Sequence, residues 1–309
     1  MTMTSPNPPS SWRAAQTFLA RQDMKLGRWR EKSLHRRNLH DNAPVVGSER
    51  VHVSMTTHGK RIETVYLAIE SIANGESLPA RLILWLDDPR LFADLPDSLR
   101  RLRDRGLEIC LTQNFGPHTK YYPYLLGTDS LDVPLVTADD DVLYGRWWLR
   151  GLIGAWRQNR AVVNCYRAHV VQVEKGVIQP YRTWGHCTST VPSYRHFATG
   201  VSGCIYPSAL LQQVKTKGDT FAQVCPRADD IWLHVNALRH GFAIRQILRQ
   251  PLNFPGVLDT QDVGLFRSNT VSGNDEQVCS TYTSEDIAHI DLFDGTSAAA
   301  FVRSGECLS

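Results

Sequence analysis

Apolar residues recur along this chain in two alternating periods, and the alternation outlines a fold before any chemistry is considered. VHVSM (51–55) places Val51, Val53 and Met55 on one face at period two, the pattern of a strand. Ile62, Val65, Tyr66, Ile69 and Ile72 follow at helical spacing, with Asn74-Gly75 read as a left-handed stop. LILWL (82–86) is a second strand ending at Asp87-Asp88. Leu95, Leu99 and Leu102 mark a helix closed by Gly106, and LEICL (107–111) is a third strand. A fourth, VPLVT (133–137), runs into Ala138-Asp139-Asp140-Asp141 and a helix carrying Trp147, Trp148, Leu152 and Trp156. Continuous apolar strands separated by helices predict a parallel sheet covered on both faces, with ligand loops at the strands' carboxyl ends.

The second half reads differently. AVVNCYRAHVVQVE, Lys175-Gly176 and VIQPY predict a β-hairpin, so the sheet is mixed although mainly parallel. A glycine-bearing segment, ATGVSGCIYP (198–207), precedes a short helix around Leu210. Pro226-Arg227-Ala228-Asp229-Asp230 then opens a helix with Ile231, Val235, Leu238 and Phe242 as its core stripe. The expected organisation is a basic extension over 1–48, a catalytic domain over 49–250, and a polar tail over 251–309 that packs near the site or lies partly free.

Composition narrows the class. With 309 residues, 42% hydrophobic and 21% charged, the chain can build a sizeable core. A net charge of +3 is too small for general nucleic-acid binding, and no nucleic-acid partner is expected. The charge is uneven, however: eight Lys/Arg stand against Asp23 and Glu31 between Arg13 and Arg37, interleaved with Phe18, Leu19, Leu26, Trp29 and Leu34. This suits either a solvated basic helix on the domain edge or peripheral contact of residues 13–37 with an anionic membrane face. Seven cysteines without a CxxC pair argue for reduced thiols and against a zinc knuckle. With no apolar leader at the N-terminus, a cytoplasmic location is expected.

The candidate chemistry lies at strand ends. Three consecutive carboxylates repel one another unless a cation neutralises them. On an extended segment Asp139 and Asp141 project to one side, where both could grip Mn²⁺ or Mg²⁺, while Asp140 projects to the other; hydrated acids at a strand exit are the plainer alternative. Asp229 reads as the N-cap of its helix, and Asp230 as a candidate general base. Lys120, in the loop from Gly116 to Tyr122, could meet a diphosphate. Thr56, after the first strand, could contact a nucleotide. Asp87 or Asp88 could accept from a base or ribose, or cap the turn at Pro89. There is no GxGxxG, Walker lysine, HExxH or GxSxG.

In this order, these features resemble the nucleotide-diphosphosugar transferases of the GT-A glycosyltransferase fold, especially bacterial family 2-like members, over about Val51 to Phe242. The resemblance makes Asp139-Asp140-Asp141 the DxD motif, with Asp139 and Asp141 toward metal and Asp140 among the nucleotide-sugar contacts. It makes Gly200-Val201-Ser202-Gly203 the loop lining the donor sugar, with Gly203 as a contact. Ala228-Asp229-Asp230 becomes the xED motif, its last acid the base of an inverting enzyme. Thr56, Arg61, Asp87 and Lys120 take the positions that touch nucleotide and diphosphate. The implied reaction moves a sugar, from a UDP-linked donor by expectation, onto a hydroxyl of a glycan or lipid-linked acceptor. Two departures are visible: the middle xED residue is Asp, and no QxxRW follows. His234 and His289 are positional candidates for a further metal ligand. A sugar-phosphate nucleotidyltransferase and a non-catalytic nucleotide-sugar-binding protein are the alternative readings.

Overall fold

The structure is a computed structural model that describes residues 26–258 and 274–292. Its body is a seven-stranded sheet of β1 (Glu49–Thr56), β2 (Pro79–Leu86), β3 (Glu108–Leu111), β4 (Leu135–Thr137), β5 (Val163–Cys165), β11 (Cys204–Tyr206) and β12 (Ile244–Gln246). The order across the sheet is β3-β2-β1-β4-β11-β5-β12. Every neighbour pair is parallel except those made by β11, which runs against both β4 and β5. The mainly parallel, mixed sheet expected from the apolar runs is therefore present.

Alternation along the strands divides the core. Val51, Val53 and Met55 of β1, with Leu82, Leu84 and Leu86 of β2, face α2 (Val65–Ala73), α4 (Asp97–Asp104) and α6 (Trp148–Gln158). Ile83, Leu135, Val163, Cys204 and Tyr206 face the other way, toward α5 (Tyr122–Gly127), α7 (Ser208–Thr216), α8 (Phe221–Val224) and α9 (Asp229–Arg239). Helices thus cover both faces, as the two-sided burial of a parallel sheet requires. A short α3 (Pro89–Ala93) follows β2.

Beside the sheet stand β6 (Ala168–Val170), β9 (Gly185–His186) and β10 (His196–Ala198), all paired antiparallel. The expected hairpin is β7 (Val173–Glu174) and β8 (Val177–Ile178), turned by Lys175 at φ 51 and Gly176 at φ 73. Two consecutive residues at positive φ are what a tight hairpin turn needs. One expected stop takes another form: Gly106 closes α4 at φ 102, but Gly75 is absent from the left-handed region, and a Cβ there would lie 2.8 Å from the Ile72 carbonyl.

The described parts of the N-terminal extension and of the tail pack onto the sheet domain. Residues 26–40 form a helix, α1, that buries Leu34 against Leu67, Leu143 and Val257. Its Asn38 donates to Glu70, which also takes the buried Arg105 guanidinium. The rest of the basic segment, 13–25, lies outside the described residues. In the tail, Val257 N–H donates to the Asp141 carbonyl at 2.7 Å, and Gly256 bridges Val142. Residues 274–281 and 284–292 are helical rather than irregular. Val278, Tyr282 and Ile290 enter the core beside α9, and Arg239 forks onto Asp286. The remainder of the tail lies outside the described residues.

Candidate functional site

The direction of chain progression reverses between β2-β1 and β1-β4, and at such a switch point the loops diverge and leave a crevice. The loops after β1 and β4, together with the turn before β11, meet there. All three acidic residues after β4 are engaged by loops distant in sequence. Arg61 donates to Asp140 Oδ1 at 2.8 Å and reaches Asp141 Oδ2 at 3.0 Å. Thr57 O–H donates to Asp140 Oδ2 at 2.7 Å. Lys120 Nζ pairs with Asp139 Oδ1 and stands 3.8 Å from Asp229 Oδ2. The Asp139 backbone N–H donates to the buried Tyr144 hydroxyl at 2.7 Å.

Lys120 is held in place by its own turn, Gly116–Lys120. Ser54 of β1 donates to the Lys120 carbonyl at 2.7 Å and accepts from Trp85 Nε1. Two residues earlier, the buried His118 spans the gap to α8. Its Nε2 lies 2.8 Å from the Cys225 carbonyl, which can only accept, so this nitrogen carries the proton and Nδ1 accepts from Tyr121 O–H. Burial pushes the His118 pKa down to about 4, so the ring is neutral. Burial also disfavours charge on Lys120, but Asp139, Asp229 and Asp230 outweigh that and hold its pKa well above the ordinary value.

Asp230 lies at the start of α9, half-buried, and both its oxygens accept the Gly200 N–H, at 3.0 and 3.1 Å. Its pKa is pushed up to about 8, by burial first and by the adjacent Asp229 next; Lys120 and the Gly200 N–H oppose the rise. Asp141 is raised too, by burial and then by Asp139. A Cβ on Gly200 would lie 3.1 Å from Asp230 Oδ1 and 3.6 Å from Lys120 Nζ, so this glycine lets backbone approach the charges closely.

Several expectations need revision in detail. Asp229 is not the N-cap; Ala228 holds that position without a side-chain hydrogen bond, and Asp229 is buried toward Lys120. Asp140 does not face away from its neighbours' environment, because one guanidinium holds both Asp140 and Asp141. Gly203 answers to packing: at φ 91, a Cβ would lie 2.6 Å from Trp148 Nε1, which also donates to the Ser202 carbonyl. His234 has both ring nitrogens engaged, by Tyr282 O–H and the Tyr194 carbonyl, and burial lowers its pKa to about 4. It is a neutral core histidine. His289 packs its ring on Tyr194.

Thr56 ends β1 with its hydroxyl on the Trp85 carbonyl. Asp88, not Asp87, caps α3 by accepting from Arg90 N–H at 2.8 Å. Asp87 is half-buried with no hydrogen bond or ion pair among the described residues. Thr57 and Tyr144 contribute to the site without having been anticipated. Thr57 adjoins the candidate Thr56, but only its partner, 83 residues later, identifies it.

The protein's residues fit a divalent cation in part. One oxygen each of Asp139 and Asp141 lacks a protein partner among the described residues, and carboxylate oxygens are hard donors. No group of three His, Cys, Asp or Glu side chains able to hold a metal occurs among the described residues. No described helix is long and apolar enough to cross a membrane.

No family model matches the chain, and no curated protein matches it in sequence. Among solved structures it is similar to TarS 1–349 of S. aureus, at 10% identity and a TM-score of 0.44, over 83% of this chain and 75% of that one. It is also similar to CMP:2-keto-3-deoxy-manno-octonic acid synthetase complexed with CTP, at 14% identity and a TM-score of 0.39, over 73% of this chain and 98% of that one. The sheet itself, parallel around β1 with β11 reversed and the acidic residues gathered at its carboxyl edge, gives the chain an α/β fold with a mainly parallel, mixed sheet.

Proposed function

We propose that this protein is a glycosyltransferase that moves a sugar from a nucleotide-diphosphosugar, of the UDP class, to a hydroxyl acceptor with inversion. The observation that carries the reading is the charge count at the switch point. Five carboxylates (Asp139, Asp140, Asp141, Asp229 and Asp230) meet two cations, Lys120 and Arg61. Two negative charges remain uncompensated when Asp230 keeps its proton, and three when it does not. A divalent cation supplies the missing charge, and Asp139 and Asp141 are the residues that would hold Mn²⁺ or Mg²⁺. Bound there, the metal acts as a Lewis acid that polarises phosphoryl oxygens.

Lys120 and Arg61 are oriented by their carboxylates before a donor arrives, so little reorganisation is needed as charge develops on the leaving diphosphate. Asp230, with a pKa near working pH, would take the proton from the acceptor hydroxyl. The Gly200 N–H holds its carboxylate in place. Thr56 and the unpaired Asp87 lie at strand ends where nucleotide would approach.

The acceptor side includes α1. Leu26 and Trp29 are 65% and 70% exposed on this helix beside exposed Arg28, Lys32 and Arg36. Arg30, on the inward side, donates to the Tyr144 carbonyl at 2.5 Å, and Tyr144 in turn receives the Asp139 N–H. We assign this face to an anionic membrane surface that carries a glycolipid acceptor.

Thermal-shift titration of nucleotide sugars with and without Mn²⁺ tests the reading, since a ligand stabilises only a fold that binds it. A shift with one nucleotide sugar that requires metal, followed by release of nucleoside diphosphate, is the expected result. Release of pyrophosphate would assign the chain to nucleotidyl transfer. Metal-independent binding without turnover would leave a binding protein.

A further inference from the structure

Arg167 stands at the carboxyl end of β5, on the same sheet edge as the acidic residues, and the mechanism above does not use it. Its Nη1 donates to Thr199 Oγ1 at 3.3 Å, and its carbonyl accepts the Thr199 N–H at 3.0 Å. The next residue, Gly200, is the one whose N–H holds Asp230. Arg167 Nε is enclosed and has no acceptor, and no carboxylate lies within 4 Å of the guanidinium among the described residues. Enclosing a charged donor without an acceptor costs free energy, and an arginine drawn in merely to offset Asp230 would touch it.

Aromatic rings follow Arg167 closely in the fold, since β6 with its His169 begins at the next residue. Tyr181 feels the charges of both Asp230 and Arg167. His169 stacks on His186 at 4.9 Å and lies 6.0 Å from the Tyr181 ring. β6, which carries His169, begins immediately after Arg167, and β9, which carries His186, pairs antiparallel with it. A sugar packs its C–H face on such rings, while a planar guanidinium with free N–H groups matches the two oxygens of a carboxylate or phosphate.

From this placement we infer that Arg167, with Tyr181 and His169 beside it, forms an acceptor subsite for a sugar or polyol that bears an anionic group, carboxylate or phosphate, near its attacking hydroxyl. This rests on the assignment of Asp230 as the base, because only Thr199 and Gly200 stand between Arg167 and it. The anion in Arg167's fork would fix the acceptor so that its hydroxyl faces Asp230.

The test is calorimetry on the full chain without divalent metal, using glucose 6-phosphate, the methyl glycoside of glucuronic acid, and neutral methyl glucoside. At least one anionic probe is expected to bind tenfold or more tightly than methyl glucoside. Arg167→Gln should remove that preference, Arg167→Lys should restore part of it, and Thr199→Val, which deletes the hydrogen bond but keeps the charge, should retain it. Which anion binds identifies the source. UDP with Mn²⁺, titrated into the same variants, should be unaffected by Arg167→Gln. Equal binding of neutral and anionic probes, no binding of either anion, an Arg167→Gln variant that keeps the preference, or a parallel loss of UDP affinity would overturn the subsite. Failure of UDP to bind the unaltered protein refutes the donor reading and leaves the Arg167 comparison legible.

Discussion

Asp230→Asn should make this protein more stable at pH 8 while removing its activity. In the folded chain the Asp230 pKa is pushed up to about 8, whereas an unfolded chain leaves it near the ordinary 3.8. The native state therefore holds a proton that the unfolded state gives up. Stability from this group is complete below about pH 4, declines as pH rises, and is fully lost above about 8. The separation of roughly four units corresponds to at most about 6 kcal/mol, at 1.36 kcal/mol per unit. Solvent access to the half-buried carboxyl and its coupling to Asp229 reduce this, and about 2–4 kcal/mol is the working figure. Asparagine keeps an oxygen for the Gly200 N–H but never ionises. In thermal melts without metal or nucleotide, the variant should match the parent near pH 4 and exceed it by several degrees at pH 8. Transfer should fall by about 10²- to 10⁴-fold with donor binding retained, and the parent's rate should rise with pH through about 8. A variant less stable than the parent at pH 8, or a gap that does not change with pH, would refute the argument that this carboxyl is held at a cost for its chemistry.

Lys120→Met strands Asp139 and Asp229 without their cation, and should cost about 3 kcal/mol or more in denaturant titrations. Gly203→Ala should cost about 2–5 kcal/mol through the strain at φ 91 and collision with Trp148, while nucleotide affinity measured by calorimetry stays unchanged. Mn²⁺ alone should bind weakly, and its affinity should rise at least tenfold when UDP is present, because Asp139 and Asp141 offer too few ligands by themselves. Flotation with phosphatidylglycerol vesicles should recover the protein, and Lys32→Gln with Arg36→Gln should weaken that association by about 30-fold, at about 1 kcal/mol per cation; equal flotation with neutral vesicles would argue against the α1 assignment.

The strands around β1 were legible because each is a contiguous apolar run whose burial on both faces leaves a local pattern. The acidic trio was legible for the same reason, as three neighbouring residues just after such a run. The helices at 274–281 and 284–292 were not, since Val278, Tyr282 and Ile290 are the buried apolar residues of an otherwise largely polar stretch, without a clear helical stripe. Reading Asp229 as a cap failed because a helix-start acid looks alike whether it faces its own backbone or a lysine 109 positions earlier. Gly203 shared a glycine loop with Gly200, and only the Trp148 ring and the Asp230 carboxylate separate their roles.

The sequence alone determined the strands and helices around β1, and that a cluster of carboxylates would end one of those strands. Period and adjacency are properties of the chain itself. Tertiary structure alone decided the partners: Arg61 across 79 residues for Asp140, Lys120 across 19 for Asp139, and an arginine after β5 left with no acid among the described residues. The free energy of a charge depends on distance and on the surrounding dielectric, and neither exists until the sheet brings its carboxyl-edge loops together.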